Sequence, residues 1–94
     1  MKLITYDLNT PGKNYQALYN AIQSLGEWWH YLDSNWLVDT TLNTYQISDR
    51  LRQCIDSNDR LLIVEIDPST VSGWLPKDAW EWISARTRRM STFR

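Results

Sequence analysis

The chain has little of what would declare a chemistry outright. Its single cysteine, Cys54, excludes an internal disulfide and a cysteine-only zinc site within one chain. His30 is the one imidazole available for proton transfer. No apolar run exceeds the "LLIV" of residues 61 to 64, far too short to cross a membrane. No charged and apolar leader opens the chain, so a soluble cytoplasmic protein is expected. No internal repeat or low-complexity linker divides it. An excess of positive charge is missing too: the formal net charge is -1, which argues against a nucleic-acid binder that works by bulk charge.

What is present is aromatic. Six Trp and five Tyr in 94 residues supply core area, a partner interface or stacking platforms for bases, and a homodimer is expected from them. With 43% hydrophobic and 22% charged residues, the length fits one globular domain with a modest core.

The patterning gives the elements. "KLITYDL" is rich in strand formers and stops at Asn9, Thr10, Pro11 and Gly12. From Lys13 to Leu25, Tyr15, Leu18, Tyr19, Ile22 and Leu25 recur at helical spacing, and Gly26 reads as a left-handed cap. "EWWHYLD" and "NWLVDT" flank the turn formers Asp33, Ser34 and Asn35, the pattern of a hairpin. Asn43 and Gln46 then have the spacing of a capping box, with Leu42 and Ile47 as its staple. "RLLIVEID" is a fourth strand, and a short helix begins at Pro76 with Leu75, Ala79, Trp82 and Ile83 on one face. The order strand, helix, strand, strand, helix, strand predicts an α+β, ferredoxin-like βαββαβ core over residues 1–67. Residues 68–94 add a C-terminal helix and a basic tail to the same domain.

That topology gathers polar residues on one rim: Asp7 and Asn9 from the first strand, Asp33 to Asn35 from the hairpin, and Asn58 to Arg60 before the fourth strand. The first helix is expected to start there as well, with amides near Thr10, Gly12 and Lys13 that favour a phosphate. Asp33 and Asp59 are ordinary turn residues. Asp7 is not, because strands disfavour Asp. A turn hydrogen bond, an approach to the helix and a metal site all remain open for it. The tail "RTRRMSTFR", residues 86 to 94, carries four Arg and no acid; it reads as a solvated terminus or as an arm lying on phosphates.

"TYDL" at the end of the first strand and "DSNWLVD" over the hairpin resemble the small ferredoxin-fold CRISPR-associated proteins at the dimeric centre of the spacer-acquisition complex, and their VapD-like and SinR-like relatives. The resemblance covers about residues 1 to 67. It implies a magnesium-dependent endonuclease acting on RNA or DNA, a homodimer whose two Asp7 carboxylates hold one metal near the dimer axis, and an integrase-like protein partner. Asn9, Lys13 and Ser34 are placed to meet the phosphate, and Arg86, Arg88 and Arg89 to bind nucleic acid along the tail. Where family members commonly have an Arg and a Gln before the small residue, Tyr31, Leu32 and Asp33 stand here, and turn plus helix replaces the family's fifth strand.

The remaining candidates have structural readings. His30 stands mid-strand, Tyr6 belongs to the core, and Cys54 is a small apolar residue on a buried helix face. Trp36 and Trp82 fit inward positions and Trp80 falls off its helix stripe. Neighbouring Trp28 and Trp29 must point to opposite sheet faces, so one of them is expected on an exposed face suited to dimer burial. The second function class that follows is a non-catalytic homodimeric scaffold that binds nucleic acid or protein.

Overall fold

Alternation along the first strand sets the layers of the molecule. In β1 (Lys2–Asp7), Lys2, Ile4 and Tyr6 are buried on one side of the sheet, while Leu3, Thr5 and Asp7 point to the other. The computed structural model describes the backbone of residues 1–92 and the side chains of residues 1–87. After β1 come α1 (Gln16–Gln23), β2 (Glu27–Leu32), β3 (Asn35–Asp39), α2 (Thr44–Leu51), β4 (Arg60–Glu65) and α3 (Lys77–Thr92). Short 3-10 turns occupy Arg52–Cys54 and Pro68–Thr70. The four strands form one antiparallel sheet in the order β2-β3-β1-β4, the ferredoxin-like arrangement.

The first core lies between the sheet and the α1–α2 layer. Ile4, Trp36 and Val38 from the strands meet Leu18 and Ile22 of α1 and Ile47 and Leu51 of α2. Full burial of each such aliphatic side chain stabilises the fold by roughly 1.5–3 kcal/mol. Helix α2 starts as its sequence dictates: Asn43 Oδ1 accepts from the Gln46 amide at 2.9 Å, and Gln46 Oε1 accepts from the Asn43 amide at 2.9 Å.

The second core occupies the opposite sheet face. Trp29 and Leu37 are buried there against Ala79 and Ile83 of α3, with Leu3, Leu75, Trp80 and Trp82 packed around them. The face expected to be open is therefore half covered by the chain's own C-terminal helix. Trp29 fills it, while Trp28 stays on the α1 side and half exposed beside Trp36. Arg86 fastens α3 in place. It is 8% exposed, its Nη2 pairs with Glu27, its Nε lies 3.3 Å from Asp39, and its guanidinium stacks 3.8 Å from the Trp82 ring.

Two local expectations are corrected. Helix α1 begins at Gln16 rather than Lys13, because Asn14 Oδ1 takes the Gln16 amide and residues 10–13 close a separate turn through Lys13 N–H to Thr10 O. Gly26 is not a left-handed cap; positive φ occurs at Gly12 and Gly73 alone among the described residues. Its requirement is space instead. A Cβ at Gly26 would lie 2.2 Å from the backbone oxygen of Asp39, where β2 and β3 begin and end side by side.

Candidate functional site

The rim expected from topology exists. β1 ends there with Asp7 in register with Arg60 at the start of β4, and the Tyr6 amide donates to Ser34 O in the β2–β3 turn at 3.2 Å. What the rim residues do is mostly hold one another. Asp59, buried at its centre, accepts from the Asn9 amide at 2.7 Å, the Asp56 amide at 2.8 Å and the Tyr15 hydroxyl at 2.8 Å. Burial pushes its carboxyl up, but the Asp56 and Asn9 amides, the Tyr15 hydroxyl and the Lys13 charge outweigh this and leave it below the usual aspartate range.

Asn9 and Asn58 form a reciprocal pair. Asn9 Nδ2 donates to Asn58 O and Asn58 Nδ2 donates to Asn9 O, each at 3.0 Å, while the Thr10 hydroxyl donates to Asn58 Oδ1 at 2.8 Å. Lys13 Nζ pairs with Asp56 Oδ1 at 3.0 Å, which raises its pKa, and lies over the Tyr15 ring. The Thr10 amide donates to the Tyr15 hydroxyl. Asn9, Lys13 and the amides at Thr10 and Lys13 thus close the loop between β1 and α1 and do not converge on a helix-terminal phosphate cradle.

Two predicted site residues stay uncommitted. The Asp7 carboxylate takes neither an ion pair nor a hydrogen bond among the described residues, and only its backbone oxygen accepts, from Asn9 Nδ2 at 3.2 Å. Facing Arg60 turns away from it, its Nη1 donating to Ser57 O and Asp59 O. Asp7 borders a shallow open cleft of about 280 Å³ with Thr5, Arg60 and Leu62. Ser34 is exposed in the hairpin turn. Among the described residues no three His, Cys, Asp or Glu side chains converge to hold a metal ion. Magnesium tolerates one or two carboxylates because it keeps several waters.

The arginines of the C-terminal segment divide. Residues 86 to 92 continue α3, and Arg86 is an internal fastener whose guanidinium is not presented to solvent. Arg88 and Arg89 fall within the span of α3, with their side chains outside the described residues.

Two arrangements were not anticipated. The His30 ring stacks flat on Trp36, with centroids 3.8 Å apart and planes 5° from parallel, and its Nδ1 donates to Asn35 O at 3.0 Å. His30 also borders a cleft of about 360 Å³ with Gln16, Tyr19, Gln23 and Asp33, which brings it nearer the acidic rim than its mid-strand position suggested. The other is Trp74. It stands fully exposed after Gly73, at the mouth of an uncharged groove of about 500 Å³ on the second sheet face. An aromatic residue inside the turn-rich "STVSGWLP", matching no helical stripe, was the available signal.

Compared with known proteins, the chain matches no family model, no curated protein and no solved structure.

Proposed function

We propose that this protein is a non-catalytic homodimeric scaffold that binds through the half of its second sheet face left open by α3. One contrast carries the reading. Asn9, Lys13 and Arg86, three of the residues expected to grip a nucleic acid, are committed to holding the fold, whereas the open face presents Leu62, Val64 and Trp74 to solvent. Contiguous apolar surface of this kind marks an interaction site more often than an isolated exposed residue does. Sedimentation of the purified chain should show a dimer, and titration with RNA and duplex DNA at low and moderate salt should show no salt-dependent complex. Tight binding with a steep salt slope would instead assign the function to phosphate contacts.

The free Asp7 carboxylate favours a second reading, a magnesium-dependent phosphodiesterase of the CRISPR-associated small-nuclease type. Two copies would share one ion through Asp7, with Ser34 near the substrate phosphate and an integrase-like protein as partner. A bound magnesium would lower the pKa of a water and stabilise charge on the phosphoryl oxygens. This reading expects labelled single-stranded RNA or duplex DNA to be cut with magnesium, not with chelator, and not by Asp7→Ala. A well-folded wild type that cuts neither substrate rejects it.

A further inference from the structure

The open sheet face carries a protrusion and a recess side by side. Trp74 is 99% exposed, held out by a loop in which Gly73 takes a φ of +150°, a value that side-chain-bearing residues rarely adopt. Beside it runs the groove of about 500 Å³, floored by Leu3 and Leu37 and walled by Leu32, Ile66 and Val71. Pockets of ~300–1,000 Å³ take drug-sized ligands or bulky side chains. No charged residue lines it.

We propose that the groove is filled by Trp74 of a second copy of this chain, so that two protomers exchange tryptophans across a two-fold axis; this rests on the scaffold reading above. An isologous interface must carry on one patch both a feature and its complement, and Trp74 with its adjoining groove meets that condition. The uncharged lining selects against charged peptides and phosphate-bearing partners, which would leave unpaired charge in the interface.

The available area agrees with a pair of copies. Trp74 at 99%, Leu62 at 60%, Leu32 at 47% and Val64 at 37% exposure lie on or beside this face. Allowing ~150–250 Å² for a large aromatic and proportionate areas for the aliphatics, these four cover on the order of 500 Å² per copy. Burying them twice gives about 1,000 Å², the floor for a specific interface, so a weak dimer rather than an obligate one is expected. Trp is among the residue types that dominate interface energetics.

The test is the oligomeric state of the full chain. Sedimentation equilibrium is run on wild type, Trp74→Ala and Leu62→Glu, with far-UV circular dichroism to establish that each is folded. Trp74 makes no core contact and its replacement should leave the fold intact. The expected result is a wild-type dimer, a dissociation constant raised at least 30-fold in Trp74→Ala, and a weakened dimer in Leu62→Glu. A dimer lost in Leu62→Glu but unchanged in Trp74→Ala overturns the exchange while keeping the scaffold reading. A dimer insensitive to both variants places the interface elsewhere and overturns the exchange together with the assigned face. A wild-type monomer up to the highest soluble concentration overturns both, and leaves the groove to an apolar ligand or a different protein.

Discussion

Tyr6 shows how one hydroxyl links three segments. It donates to Asp33 O at 3.3 Å and accepts from Trp36 Nε1 at 3.0 Å, and its burial pushes the phenol pKa up. In Tyr6→Phe the Trp36 indole N–H stays buried with nothing to bond, a loss of about 1–3 kcal/mol that urea denaturation will read. Asp59 has a different signature. Its folded pKa lies below the unfolded value of about 3.9, so its contribution is complete above that value and is lost as pH falls through the folded pKa. Urea midpoints of wild type and Asp59→Asn should therefore be far apart at pH 7 and converge as the pH is lowered below about 4. A difference that persists at low pH would show that packing rather than the carboxylate matters. The role of Asp7 was only partly legible. Its oddity within a strand was visible, but whether anything paired with it depended on Arg60, whose side chain chose the carbonyls of Ser57 and Asp59.

Among the elements, α2 and the hairpin were legible because their signals are local. A capping box needs four consecutive residues, and so does the β-turn from Leu32 to Asn35. Helix α1 starts three residues later than its spacing suggests, because Tyr15 fits the helical stripe while its hydroxyl is engaged by the Thr10 amide and by Asp59 across the rim. Helix α3 owes its position to a long-range contact, since Glu27 is 59 residues from Arg86. The Arg-rich segment therefore resembled a free tail. Arg86→Met should keep much of the packing on Trp82 but remove the guanidinium that faces Asp39 and Glu27. Because Glu27 is largely exposed, a loss of about 1–3 kcal/mol is expected, below the full cost of breaking a buried pair. Amide hydrogen exchange should then accelerate in α3 well before it does in α2. Lysine at this position will not restore protection, because it lacks the fork that meets two carboxylates and the plane that stacks on an indole.

The whole molecule is a sheet shared by two cores. β3 supplies Trp36 and Val38 to one and Leu37 to the other, so neither core can open without disturbing the strand common to both. Ile47→Ala in the first core and Ile83→Ala in the second should each cost about 2–4 kcal/mol and shift the same single transition, seen alike by circular dichroism and tryptophan fluorescence. Two separated transitions would show that α3 unfolds independently. The βαββαβ order could be read from periodicity, and with it the membership of the rim. The pairings across the rim could not, because Asn9 with Asn58 and Lys13 with Asp56 join residues 49 and 43 positions apart. β4 lies at an outer edge of the sheet, and its residues 61–64 are four apolar strand formers in succession. Such an edge is a template on which further chains can add as strands. Arg60 and Glu65 bracket it and act as gatekeepers against that growth. Because β1 pairs with the inner edge of β4 alone, those two flanking charges keep their guarding role in the finished fold.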